Sequence, residues 1–321
     1  MIAKRLLDIC SGEGERARLS ILIFHRVLPV ADPLFPSELD APRFDALMAH
    51  LKRRFNPLPL ENAIALLRRG GLPSRAVSIT FDDGYADNLT VAAPILRRYV
   101  LPATVFIATS YLDGGCMWND IVIEACRSTR RAELDLGSIG LGKRSIACLA
   151  DRRTLVDELL GQLKYMDHEE RDKAAMMVAH AAGTDVPNGL MLSSAALREF
   201  RQYGIAVGAH TRRHPILAKT PDSIAWDEIS QGRKDLHDLL GQPVALFAYP
   251  NGKPGRDYTA EHVRMVREAG FAAAVSTAQG AATSRSDTYQ LPRFTPWRDA
   301  PFRFDLLMMK NFRHRTESRA S

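Results

Sequence analysis

From Ser20 onward the chain alternates between short apolar runs suited to strands and amphipathic stretches with apolar residues at helical spacing. This rhythm constrains the fold more than any other feature of the sequence. SILIFHRV (Ser20 to Val27), AVSITFDD, PATVFIAT, IAVGAH, VALFAYP and FAAAVST read as buried strands. PRFDALMAHLKRRF, LENAIALLRRG, NLTVAAPILRRYV, DEISQGRKDLHDLLG and EHVRMVREAG read as the helices between them. Strand-helix alternation with short connections predicts a parallel sheet covered by helices. Polar residues gather repeatedly at the carboxyl ends of the strands, where barrel enzymes build their sites, so a closed or partly closed barrel fits best. A doubly wound open sheet is the alternative, and no GxGxxG turn supports it.

The rhythm lapses between Thr109 and Met191. There the sequence predicts CMWNDIVIEACR, a hairpin in AELDLGSIGLGKRSIACLA, and a helical run from Arg152 to about Ala182. This reads as an insertion, 110–191, over the barrel rim and not as an independent domain. The expected organisation is an N-terminal extension 1–17, a catalytic domain 18–300 containing the insertion, and a C-terminal tail 301–321. The last stretch of that tail, NFRHRTESRAS, has the composition of a disordered segment. Trp118 and Trp297 read as packing or rim residues.

Charge and cysteine usage exclude some functions. A net charge of +6 is spread over short runs such as LKRRF, LRRG and STRR, without the interleaved aromatics of a nucleic-acid surface. No segment approaches the ~20 uninterrupted apolar residues of a spanning helix. Asp8, Glu13 and Glu15 interrupt any leader-like run at the start. Cys10, Cys116, Cys126 and Cys148 are far apart and read as reduced, mostly buried thiols. A cytoplasmic protein is therefore expected, with a peripheral position on the inner membrane face as a further option.

The chemistry concentrates in SITFDDGYADN, where a strand ends in two adjacent carboxylates, Asp82 and Asp83. Buried together and ionised they would repel, unless a cation or a proton relieves them. His210 and His214 supply the means. They lie four apart in GAHTRRHP, at the end of another strand, and two imidazoles with one carboxylate make a facial N,N,O set for a divalent metal. If both strand ends face one rim, Asp83, His210 and His214 meet there, with Asp82 alongside.

TFDDGY followed by HTRRH resembles the NodB-like polysaccharide deacetylase family, carbohydrate esterase family 4, and FAYPNG (Phe247 to Gly252) is similar to its third motif. The resemblance runs from roughly Ser20 to Phe294. It implies a distorted (β/α) barrel of the polysaccharide deacetylase type, here with a mainly helical insertion. It also implies a divalent metal, most often Zn2+, with Co2+, Ni2+ or Mn2+ as alternatives, on Asp83, His210 and His214. Asp82 would be the general base. The family's acid histidine usually lies near the C-terminus, where His262 and His314 stand in no matching phrase. His25, ending the first strand, matches the form whose fifth motif is moved to the N-terminus. The arginine that often precedes Tyr-Pro is replaced by Phe247-Ala248, and Arg293 in QLPRFTPW is the candidate to pair with Asp82 instead. Tyr249 and Pro250 would contribute to substrate contact and the oxyanion hole.

The resemblance thus implies a metal-dependent hydrolase releasing acetate from N-acetylated hexosamine glycans, in exopolysaccharide or envelope glycan synthesis. An acetylated glycan or lipid-linked oligosaccharide is the expected partner, with no nucleic acid, and the oligomeric state is left open. Two alternatives differ from it: an O-acetyl or cyclic-amide hydrolase on the same fold, and an inactive glycan-binding or scaffold protein.

Overall fold

The computed structural model describes residues 2–295, 301–314 and 318–320. Among these the strands are β1 (Ser20–Phe24), β2 (Asn56–Pro57), β3 (Ala76–Phe81), β4 (Ala103–Ile107), β5 (Glu133–Leu136), β6 (Gly142–Ser145), β7 (Ile205–Ala209), β8 (Leu246–Ala248) and β9 (Ala273–Val275). β1, β3, β4, β7, β8 and β9 lie side by side in that order in one parallel sheet, and β2 pairs with the start of β3. The sheet curls round until residues 291–294 join its edges. Leu291 bridges Val275 of β9, and Phe294 bridges Leu22 of β1, both in parallel.

Alternation along the strands separates two environments. Leu22, Phe24, Val77, Ile79 and Phe81 belong to the larger apolar cluster, which includes the helical residues Phe44 and Met48. The rings of Phe24, Phe44 and Phe81 lie 5.4–5.9 Å apart, within the range of favourable aromatic contact. Ser78 and Thr80 have the opposite parity on β3 and are also buried. At Gly208 a Cβ would sit 2.4 Å from the Phe106 ring, so the ring fills the space that a side chain on β7 would need.

The chain divides into two compact units. The first holds the barrel, Met1–Val30, Leu39–Leu112 and Leu192–Ser321; the second holds Asp113–Met191 together with Ala31–Glu38. The second unit has its own apolar core, built from Ile121, Val122, Leu134, Leu155, Leu159 and Val178 among others. Its β5–β6 pair is antiparallel, and the expected single helical run is two helices, Leu149–Leu163 and His168–Ala182. Asp167 caps the second by accepting from Glu169 N–H, which explains the break. Trp118 packs under the Arg171 guanidinium at 5.1 Å within this unit; Trp297 lies outside the described residues.

Two expectations need correction. Pro301–Arg313 is a helix, and Asn311 and Phe312 of the supposedly disordered stretch are buried in it, with Phe304 and Met308. A short amphipathic helix inside a basic tail carries too little apolar content to stand out by composition. Of the four free cysteines only Cys126 is buried; Cys148 is exposed and caps Leu149–Leu163, its sulfur accepting from Asp151 N–H at 3.5 Å.

Candidate metal centre and its flanking acid-base groups

Strand register fixes where the polar residues emerge. Phe24 of β1 lies beside Phe81 of β3, so His25 and Asp82 leave the sheet at one level, with Asp82 N–H donating to the Phe24 carbonyl at 3.0 Å. Ala209 lies beside Ile107 on β4 and beside Phe247 on β8, which puts His210 at the same rim.

Asp83, His210 and His214 come together there, their candidate ligand atoms all within 4.8 Å of one another. Asp83 Oδ1 is 3.5 Å from Nε2 of each histidine. Ligand atoms about 2.0–2.1 Å from a tetrahedral zinc ion would be spaced roughly 3.3–3.5 Å apart, a spacing that both Asp83–histidine pairs match. His210 Nδ1 donates to the Ala248 carbonyl at 2.7 Å, which leaves Nε2 as a lone-pair donor facing Asp83. Burial pushes the His210 pKa down to about 4 against the pull of Asp82, keeping the ring in its ligating form at neutral pH.

The backbone turns sharply around the cluster. Asp83, Thr211 and His214 all have left-handed φ, at 75°, 62° and 53°. Gly84 follows with φ 92°, and a Cβ there would lie 2.9 Å from Ile107 Cδ1. Residues 211–214 are held from beneath by the helix Asp222–Leu240. The buried Glu228 carboxyl accepts from Arg212 N–H (2.9 Å), Arg213 N–H (2.7 Å) and Arg213 Nε–H (2.7 Å). Gly232 lets that helix approach, since a Cβ would stand 3.0 Å from the Thr211 carbonyl carbon. Sequence reasoning missed Glu228 because a lone glutamate on an amphipathic helix looks solvated.

Asp82 is set apart from Asp83 by its partner. Arg293, only 1% exposed, grips it with both guanidinium ends, Nη1–Oδ1 at 2.6 Å and Nη2–Oδ2 at 2.7 Å. Arg293 Nε–H donates to the Ser276 carbonyl at 2.9 Å, and its guanidinium lies 5.8 Å from the Phe106 ring. Burial alone would raise the Asp82 pKa; Arg293 and then His210 outweigh it and hold the carboxyl well below the usual range. Asp82 Oδ2 lies 3.8 Å from His210 Nε2, beside the ligand cluster.

His25 keeps an exposed ring face at the rim, and the protein crowded around the rest of the ring lowers its pKa by desolvation, with Asp82 pulling up and Arg293 pushing down. Its backbone is braced from the other end of the SITFDDGYADN stretch. Asn88 Nδ2 donates to the His25 carbonyl (2.8 Å), and the buried Asp87 accepts from Val27 N–H (3.1 Å) and Arg26 Nε–H (2.8 Å). A π-turn over Asn88–Ala92 accompanies this bracing.

The third-motif expectation is corrected. Tyr249 N–H already donates to the Val275 carbonyl at 3.2 Å, and Pro250 has no N–H, so neither offers an oxyanion donor. The Tyr249 ring is fully buried, stacked on Tyr258 with centroids 3.9 Å apart, which also removes it from substrate contact. His50, His168 and His262 stay outside the cluster; His50 pairs with Asp305 at 2.8 Å, and His262 takes part in the capping box of Ala260–Glu268.

A parallel barrel with carboxylates and histidines converging beyond the carboxyl ends of its strands defines a (β/α)-barrel protein with an enzyme-like rim. More narrowly, the chain belongs to the polysaccharide deacetylase family, whose model matches residues 69–140 and 161–274. The family acts on carbon-nitrogen bonds of acetylated glycans as a hydrolase. A Bacillus subtilis (strain 168) protein named "Putative polysaccharide deacetylase YxkH" is 21% identical over 279 residues, 86% of this chain and 71% of the relative. Among solved structures, Streptococcus pyogenes deacetylase PplD in complex with acetate superposes with a TM-score of 0.62 at 19% identity, covering 91% of this chain and 98% of that one. IcaB from Ammonifex degensii gives 0.58 at 19% identity, covering 95% and 99%. These structures share the distorted barrel. Among the described residues no helix is long and apolar enough to cross a membrane.

Proposed function

We propose that this chain is a metal-dependent deacetylase that hydrolyses N-acetyl groups on hexosamine-containing glycans and releases acetate, in exopolysaccharide or envelope glycan synthesis. The observation that carries the reading is the Asp83–His210–His214 cluster, with Arg293-locked Asp82 beside it. A divalent cation held by those three residues, Zn2+ first among the candidates, would supply Lewis acidity towards the acetyl carbonyl and make water more acidic. Asp82 is ionised throughout the working pH range and accepts the proton of the attacking water. A carboxylate with so low a pKa is a weak base. His25, at the same level of the rim, hands a proton to the departing amine.

The test is acetate release from N-acetylglucosamine oligomers with defined metals added back, alongside O-acetylated and cyclic-amide substrates. Asp82→Asn is expected to cut turnover by about 10²–10⁴-fold while bound metal, measured by mass spectrometry, is unchanged. Full activity in that variant removes the base assignment. Release only from O-acetylated substrates moves the chain to the esterase reading.

A further inference from the structure

Five arginines that look like scattered solvated charge in the sequence converge in space. Arg16 and Arg18 lead into β1, Arg68 and Arg69 come from the LRRG run before β3, and Arg285 follows Ala282, the bridge partner of Leu19. They line a concavity of about 780 Å³ in which Glu15 is the single acidic group. The place is the amino-terminal end of the sheet. The candidate metal centre lies beyond the carboxyl ends, a strand length of about 17–20 Å away.

The frame of this concavity is built from backbone. Leu19 and Ala282 exchange hydrogen bonds of 2.9 and 2.8 Å, and Gly14 N–H donates to the Leu72 carbonyl at 3.2 Å. Thr283 N–H donates to Ser286 Oγ at 2.7 Å. Gly70 is left-handed at φ 69°, and a Cβ on it would meet Glu15 Cγ at 3.1 Å. None of the five arginines has an ion-pair partner among the described residues; Arg18 spends one N–H on the Phe312 carbonyl. Crowded guanidinium groups repel one another, and surfaces ordinarily intersperse the two signs. A cluster left uncompensated on a rigid frame is complementary to an anion.

The geometry selects the kind of anion. A planar carboxylate is satisfied by a single guanidinium fork, whereas a tetrahedral phosphoryl group presents oxygens to several forks from different directions. The volume is within the range of small-molecule sites, and the lining is nearly devoid of apolar side chains, so the group bound is polar throughout. We propose that this concavity binds a phosphate-class anion. Its source is either a soluble diphosphate or the headgroup of an anionic phospholipid, and the chemistry of recognition is the same for both.

The metal-loaded full-length protein is titrated calorimetrically with inorganic pyrophosphate at fixed ionic strength. In parallel it is pelleted with vesicles of phosphatidylglycerol and phosphatidylcholine, or of phosphatidylcholine alone. Saturable binding of one equivalent is expected in at least one arm. Arg68→Gln/Arg69→Gln should weaken it at least tenfold, and Arg285→Gln, a separate surface change, should weaken it as well. Lys52→Gln/Arg53→Gln, an exposed pair elsewhere with the same loss of charge, should leave it unchanged. Pyrophosphate binding alone identifies a soluble ligand, and retention on phosphatidylglycerol vesicles alone identifies a lipid headgroup. No saturable binding in either arm, wild-type affinity in both arginine variants, or an equal loss in the Lys52/Arg53 control overturns the proposal.

Discussion

The adjacent aspartates show how neighbouring residues of identical chemistry can be given different work. Asp83 turns through a left-handed backbone towards two imidazoles, while Asp82 keeps the strand direction and meets Arg293. Removing the arginine would leave a buried carboxyl without its main compensation. Arg293→Gln is therefore expected to lower unfolding free energy by roughly 3–5 kcal/mol, read from urea denaturation; an unchanged midpoint would mean that the pair is solvated in solution. His25 provides a test of sign. Desolvation by the protein around its ring lowers its pKa, Asp82 raises it and Arg293 lowers it, and the net shift is downward from 6.5. In the metal-free protein, NMR titration of His25 should give a midpoint below 6.5, and Asp82→Asn should move it lower still. An upward move in that variant would show that Asp82 does not act on His25.

At the scale of elements, the Asp83–His210–His214 cluster depends on parts outside it. The helix Asp222–Leu240 secures the turn between the two histidines through Glu228 and makes room for it at Gly232. Such supports commonly set metal affinity within a factor of 10–100. Glu228→Gln should weaken zinc binding by about that factor in a competition assay with a chromophoric chelator, while Asp82 and His25 keep their places. Affinity equal to wild type would confine Glu228 to a structural role. The candidate ligands were legible because two short motifs carry them at strand ends. Their supports were not, since Glu228 is separated from the motif by a loop and becomes a partner only once the helix is packed. Tyr249 was misjudged for a related reason. Sequence shows that a residue stands near a motif, but not that its N–H is already committed to the neighbouring strand.

For the barrel as a whole, the parallel architecture followed from the alternation of periods and a barrel from the polar strand ends, whereas the segment that closes it did not. Residues 291–294 are too short and too lightly apolar to read as a strand, yet they join β9 to β1 and bring Arg293 inside. The family model likewise begins at residue 69 and ends at 274, so His25 and Arg293 both lie outside the matched residues. The β1–β3 register puts His25 level with Asp82, and closure by residues 291–294 brings Arg293 to it.

Closure also draws on the helix Pro301–Arg313, whose last three residues composition had placed in a disordered stretch. Asn311 Nδ2 donates to Ser20 Oγ at 2.9 Å at the start of β1. Asp305 meets His50 and Arg54, both at 2.8 Å, on the helix Ala41–Arg54. Phe304 packs edge-on against the rings of His50 and Phe55, each with centroids 5.7 Å away. Truncating one buried aromatic of this kind costs about 3–5 kcal/mol, a large share of the roughly 5–15 kcal/mol that holds a typical domain together. Phe304→Ala should therefore lower the urea midpoint by an amount equivalent to 3–5 kcal/mol, with an unchanged slope. A chain ended at residue 300 loses Phe304, Asp305, Met308 and Phe312 together, and should show no cooperative unfolding transition for the barrel. If that shortened chain instead unfolded cooperatively at the full-length midpoint, the helix would be an appendage, and β1 would hold its register through residues 291–294 alone.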